Sequence, residues 1–228
     1  MCSNYRPVSA SDRLLTYFGV ERPKGEVPIE LYPGYTAPFI WRRPDAVELQ
    51  RGAELGRFGL LPHWAKDMAL GRRTYNARSE TASEKPSFRD SWRRGRRCII
   101  PAEAIYEPNW ETGRAVRWRI ARADGNPLGI AGLWGWWRDP TTQVEVLSFT
   151  MLTVNADGHP LMQRFHKPGD EKRMVVVLDE AEFDAWLDCP PSRMMEFMRR
   201  YPAEGLVAVP DPKGKVVEDL FGDDAGQG

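Results

Sequence analysis

The sequence predicts one α+β domain, rich in strand, whose mostly antiparallel sheet curls like a barrel. Three observations lead there. Apolar runs dense in branched and aromatic residues stand at 129–136, 144–154 and 174–178, lengths that suit buried strands. The run Val116-Arg117-Trp118-Arg119-Ile120 alternates with period two, so one face is expected inside and the other in water. Helical spacing is confined to short stretches, and no linker, repeat or low-complexity tract divides the 228 residues.

Taken in chain order, a first short helix follows Ser9 or Ser11 as its cap, with Leu14, Leu15 and Phe18 on one face. Tyr32-Pro33-Gly34-Tyr35 and Asp124-Gly125-Asn126-Pro127 read as turns. Further helices are expected over 87–94, 180–188 and 192–201. Met194, Met195 and Met198 lie at helical spacing in the last of these and read as core filler. The domain is expected to span 1–217, followed over 218–228 by an acidic, glycine-rich, frayed tail.

Composition narrows the function. No stretch approaches the roughly 20 apolar residues that a membrane span needs, and no secretory signal stands at the N-terminus. Cys2, Cys98 and Cys189 include no close pair, which points away from a disulfide framework and toward a reducing, cytoplasmic setting. His63, His159 and His166 are not spaced with those cysteines as a metal site, so neither metal nor cofactor is expected. Net charge is zero but unevenly distributed: residues 1–120 hold 21 Lys and Arg against 14 Asp and Glu, and residues 121–228 hold 11 against 18. The first half also carries Arg42-Arg43, Arg72-Arg73 and Arg93-Arg94-Gly95-Arg96-Arg97, forks that suit phosphate oxygens or, equally, a solvated surface.

Cys2 is the most informative position. Initiator methionine is usually removed before a small second residue, which would leave a cysteine with α-amine and thiol on adjacent carbons. Their ordinary pKa values, roughly 8 and 8.5, leave usable neutral amine and thiolate near pH 7. Such a pair captures an aldehyde: the amine gives a Schiff base and the thiol closes a five-membered thiazolidine. Three other segments carry chemistry-bearing residues. They are the polar run Asn76-Ala77-Arg78-Ser79-Glu80-Thr81, the strand-like Cys98-Ile99-Ile100-Pro101-Ala102-Glu103-Ala104-Ile105-Tyr106-Glu107, and Arg164-Phe165-His166-Lys167-Pro168. A carboxylate and a histidine make the usual acid–base pair, though spacing alone does not bring them together.

These pieces resemble the SRAP family, the SOS-response-associated peptidases or abasic-site-processing proteins. Met1-Cys2, Gly59-Leu60-Leu61-Pro62-His63-Trp64, the Asn76 to Thr81 run, Arg97 to Ala102 continuing to Tyr106-Glu107, Thr153 and His166 fall in the family's order over roughly residues 1–180. The resemblance implies a β-rich fold with a basic groove and, as partner, single-stranded DNA containing abasic sites. It implies that Cys2 forms a thiazolidine with the ring-opened sugar. Asn76 would hold the N-terminus and sugar oxygens, Glu107 would shuttle protons, and His166 would assist while bonding the sugar or phosphate. Arg78, Arg89, Thr153, Asn4 and Arg6 are the implied backbone contacts, and Trp64 the stacking or wedging aromatic. A monomer associating with the nucleoid on damage is the expected setting.

Glu103 and His159 compete for the acid–base roles. Tyr106 before Glu107 matches the family's aromatic–glutamate pair, and His159 follows a turn-like Asp157-Gly158. The chain departs from the family where Cys-Gly-Arg becomes Cys2-Ser3-Asn4-Tyr5-Arg6, where Pro108 follows the glutamate, and where Lys167 to Arg173 lengthens the histidine segment. Two other readings stand beside it: a cysteine peptidase built on the same Cys2, Glu107 and His166, and a non-catalytic single-strand-binding module whose binding would not depend on Cys2.

Overall fold

The computed structural model describes residues 2–43 and 50–213. The expected domain end at 217 and the tail over 218–228 lie outside the described residues. Eleven strands are described: β1 Asn4–Pro7, β2 Thr36–Arg42, β3 Arg51–Phe58, β4 Asn76–Arg78, β5 Arg97–Asn109, β6 Val116–Arg122, β7 Leu128–Arg138, β8 Glu145–Asn155, β9 Arg173–Val175, β10 Val177–Leu178 and β11 Leu206–Pro210. The helices are short: α1 Ser11–Phe18, α2 Ser79–Ala82, α3 Arg89–Arg93 and α4 Phe183–Asp188, with 3-10 turns between.

Five of the strands close on themselves. β7 pairs β8, β8 pairs β3, β3 pairs β2, β2 meets β5 at Ile40 and Ile99, and β5 returns to β7. Closure leaves these five without a bare edge and makes the expected barrel real. All the pairings in this ring are antiparallel except β3 with β8. Inside it Phe39, Phe58 and Phe149 are fully buried, with Phe149 5.8 Å from Phe39 and 5.6 Å from Phe58 between ring centroids. β5 is the hub. Its thirteen residues leave the barrel at one end, where β1 and β6 pair with it in turn, and β11 extends β6.

Most expected elements appear, with changes that have physical causes. The first helix begins at Ser11, but Ala10 occupies its cap and no side chain caps it; Leu14 and Phe18 are buried while Leu15 is exposed. The expected strand over 174–178 divides. β9 pairs β8, β10 pairs β7, and Val176 between them bonds to both sides through Leu152 and Ala131. The helix expected over 180–188 opens as a 3-10 turn over Glu180–Glu182 before α4. The helix expected over 192–201 is a 3-10 run, Pro191–Phe197, in which Met194 is buried and Met195 faces out. Three eclipsed residues per turn place those side chains differently from an α-helix. Among the described residues no helix is long and apolar enough to cross a membrane.

Two expectations follow. Gly59 holds φ +120°, and a β-carbon there would come 2.1 Å from the Gly71 carbonyl oxygen. Gly59→Ala should therefore cost about 3 kcal/mol or more, read as a fall in urea midpoint at unchanged slope. Gly113→Ala, with φ +77° but open space, should cost only about 1 kcal/mol. Secondly, Asp184 on α4 receives Arg51 and Arg42, and the Arg51 hydrogen bond leads in drawing its carboxyl down from 3.8 to about 2. A lowered folded-state pKa stabilises above the unfolded value and loses that contribution as pH falls through the folded one. The melting-temperature gap between wild type and Asp184→Asn should be full above pH 4 and gone by about pH 2; a gap unchanged at acid pH would contradict this assignment.

Candidate active site

The site forms where the N-terminal strand is stitched to the outer end of β5. β1 runs antiparallel to it with Asn4 opposite Tyr106 and Tyr5 opposite Ile105. Alternation along β1 sends Tyr5 inward, edge-on to Phe58 at 5.2 Å, and this anchors the residues just before it. Cys2 is consequently buried, with its Sγ 3.5 Å from the Asn4 carbonyl oxygen. Across from it β4 runs parallel to β8 and opens with Asn76, whose Nδ2 donates to the Cys2 carbonyl at 2.7 Å. The amide's Oδ1 is buried and has no hydrogen-bond partner among the described residues.

Glu107 and His166 complete the cluster. Glu107, on the inward face of β5, is 3% exposed, and His166 is 7% exposed. Their contact is 3.0 Å between Glu107 Oε2 and His166 Nε2. His166 arrives on the loop after a bridge between Phe165 and Asn109, and its N–H donates to the Pro108 carbonyl at 3.0 Å. So β5 supplies the carboxylate and also the backbone that seats the histidine. Burial, and after it the Glu107 carboxylate, push the Cys2 thiol well above its ordinary range. The half-buried Tyr75 phenol is likewise raised, by burial first and then by Cys2 and Glu107, which puts it at the rim of the same cluster.

The competing residues are used elsewhere. Glu103 receives both guanidinium arms of Arg13 at 2.8 Å. His159 accepts from the Leu161 and Met162 amides and contacts the Tyr201 carbonyl at 2.8 Å, so both ring nitrogens bond to backbone.

The residues expected to touch DNA divide into two groups. Trp64 and Arg89 are exposed, and Trp64 Nε1 reaches the Pro86 carbonyl just before α3, so the two share one surface. Arg78 is exposed beside Asn76 but bonds Glu171 at 2.7 Å. Arg6 is exposed on the face of β1 opposite Tyr5, over a cleft with Arg13, Glu103 and Arg119, and is not gathered with Cys2, Glu107 and His166. Two expectations need correcting. Asn4 is buried, its Nδ2 bonded to the Leu31 carbonyl and its Oδ1 to Arg117. Thr153 is buried, its hydroxyl donating to Ala77 O and accepting from Arg173. Both are internal struts, because the strands that carry them are covered on that side.

Sequence reasoning passed over those partners. Arg117 stacks 3.5 Å above the Tyr106 ring while bonding Asn4, Glu30 and Asp211. Arg173 is 3% exposed and ties Glu80, Glu171 and the Thr153 carbonyl together. The alternating strand containing Arg117 was visible; that its wet face would be covered by the 30–32 loop and Asp211 was not.

The chain as a whole matches a known family. The model of the SOS response associated peptidases (SRAP) matches residues 1–213. The chain belongs to the SRAP family. It is 29% identical to the abasic site processing protein YoqW of Bacillus subtilis (strain 168) over 216 residues, covering 91% of each chain. It is 28% identical over 165 residues to the abasic site processing protein HMCES of Xenopus tropicalis, where the match covers 63% of this chain and 47% of that one. A crystal structure of a Bordetella bronchiseptica protein superposes with TM-score 0.85 at 42% identity, covering 92% of this SRAP chain and 99% of the other.

In the chain that retains Met1, iodoacetamide at pH 8 should leave Cys2 and Cys98 unmodified, since both thiols are buried and raised. Peptide mapping should find both labelled once guanidinium unfolds the protein. Rapid native labelling at Cys2 would mean that β1 opens readily, contrary to the packing of Tyr5.

Proposed function

We propose that this SRAP protein captures abasic sites in single-stranded DNA as a covalent adduct through Cys2. Once Met1 is removed, the α-amine adds to the aldehyde of the ring-opened sugar and loses water to give a Schiff base. The thiol then adds across the C=N bond: sulfur bonds to carbon, its proton passes to nitrogen, and the thiazolidine closes. The observation that carries this reading is the convergence of Asn76 on the Cys2 carbonyl with the buried Glu107–His166 contact beside the Cys2 thiol. Asn76 fixes the terminal residue while its buried Oδ1 offers an acceptor for the α-amine or a sugar hydroxyl. Glu107 relays both protons, first moving one from the adding amine to the departing hydroxyl as the Schiff base forms and then carrying the thiol proton to nitrogen, with His166 holding the carboxylate in place. Arg78, Arg89 and Arg6 are assigned to the phosphates and Trp64 to stacking on an unpaired base. The names of YoqW and HMCES agree with abasic DNA as the partner. The protein is taken to act as a monomer, inside the cell and on damaged chromosomal DNA.

The chemistry argues against a general cysteine peptidase. Such an enzyme needs a ready thiolate, whereas burial and Glu107 keep this thiol protonated. An amine-first reaction needs no thiolate at the outset. A passive binding module would have no reason to bury a carboxylate against a histidine, given what desolvating such groups costs.

The test is intact mass. Processed protein mixed with a single-stranded abasic oligonucleotide should gain the oligonucleotide's mass less one water. Cys2→Ala, or a variant that retains Met1, should gain nothing stable, and Cys2→Ser should be trapped chiefly after borohydride reduction. Glu107→Gln and His166→Ala should slow adduct formation by about 10²–10⁴-fold. An unchanged mass for processed wild type ends the proposal, and DNA binding that survives with no adduct would favour the passive module.

A further inference from the structure

His166 sits in a backbone conformation that it would not choose alone. Its φ is +64°, the left-handed region, where a residue with a β-carbon is strained and stays only because its surroundings impose the conformation. On the N-terminal side the Pro108 carbonyl receives the His166 amide, and the Phe165–Asn109 bridge holds the preceding residue. On the C-terminal side the chain turns through Lys167 to Asp170, with the Asp170 amide donating to Lys167 O at 3.1 Å and Gly169 at φ +86°. This turn brings the His166 and Lys167 carbonyls toward a single point. The Lys172 ammonium occupies it, donating to His166 O at 3.2 Å and to Lys167 O at 3.0 Å. Lys172 is itself located by its amide, which donates to Asp157 Oδ1 at 2.9 Å, and by Arg173, which begins β9.

We propose that Lys172 is the positioning residue of His166, its ammonium clamping the two carbonyls that fix the histidine backbone and so aiming the imidazole at Glu107. A charged donor on a carbonyl is a stronger tie than a neutral one, and one ammonium holding two successive carbonyls opposes rotation of the peptide unit between them. A ring whose only tie were its own side-chain bond would be free to swing when the backbone relaxed. The His166–Glu107 separation is the dimension the chemistry depends on, and displacements of about 1 Å in such sites cost up to about a hundredfold in rate. The inference rests on the adduct-forming reading above for its rate measurement, but its structural half does not.

The experiment therefore has two readouts. Imidazole 1H–15N spectra of the DNA-free protein should show the His166 signals shifted and broadened in Lys172→Met, with those of His159 unmoved, and restored in Lys172→Arg. With abasic oligonucleotide at saturation, Lys172→Met should form adduct about 10- to 100-fold more slowly than wild type, while its affinity for an intact single strand stays within about twofold. Lys172→Arg should recover most of the rate. If circular dichroism shows Lys172→Met unfolded, Lys172→Gln replaces it with the same expectation, since its neutral, shorter amide cannot span both carbonyls. Unchanged His166 spectra and an unchanged rate overturn the proposal, as does a loss that Lys172→Arg fails to restore. A wild type that forms no adduct would end the reading of function and leave the spectra to decide this one.

Discussion

A carboxylate and an imidazole are held against each other almost out of reach of water, and much of the surrounding architecture exists to keep them there. Removing either group from solvent costs several kcal/mol before any return from their mutual contact. Glu107 offsets that cost with His166 at 3.0 Å, and the direction from which His166 reaches it is fixed by the fold. That direction is set by β5 itself, because the strand bearing Glu107 also accepts the His166 amide one residue later, at Pro108. Shifting β5 by one residue against its neighbours would turn Glu107 outward and move the histidine's seat with it. The closed barrel forbids that slip, since β5 is paired to β2 and β7 at one end and to β1 and β6 at the other.

The position of Cys2 follows from the same strand. A chain terminus is ordinarily the least ordered part of a domain. Here Tyr5 buries its ring against Phe58, and Asn4 is fixed on the opposite face by Leu31 and Arg117. Arg117 in turn lies flat on Tyr106, the neighbour of Glu107. Cys2 and Glu107 are thus referred to one another through a few rigid contacts, with Asn76 closing the circuit from β4. Asn4 matters to the site by this route, as part of the frame, and Thr153 supports β4 beside Asn76 through its bond to the Ala77 carbonyl.

Fold class and the strands at 116–120, 129–136 and 144–154 were legible in the sequence because alternation and branched apolar runs are local signatures. Asn76, Glu107 and His166, by contrast, were singled out beside Cys2 only through the resemblance to the family's order of motifs. What was not legible depends on contacts between distant segments. β2 and β3 carry Arg42, Arg51 and Arg57 among their apolar residues and have no clean period, and their pairing is decided by the barrel. The division of the 174–178 run between β8 and β7 depends on which neighbours stand beside it, and the sequence does not state them. Leu15 matched a helical face, but α1 is a surface helix of two turns that buries only Leu14 and Phe18.

The charge distribution shows why clusters in sequence are a poor map of a surface. The basic first half and acidic second half are partly partners. Arg42 and Arg51 bond Asp184, Arg42 also bonds Asp188, Arg78 bonds Glu171, and Arg117 bonds Asp211. Of the densest cluster, Arg94 and Arg96 pair with Asp90, and Arg97 donates to the Leu187 carbonyl. Among the described residues, Lys66, Arg72, Arg73, Lys85, Arg89 and Arg93 make no ion pair, and they lie in one segment together with the exposed Trp64. An anion approaching Arg78, two residues along β4 from Asn76, must displace Glu171, so the charge of this arginine is already answered. On the proposed function, attraction at a distance then falls to the cations that make no ion pair, and a grip through Arg78 depends on exchanging one anion for another.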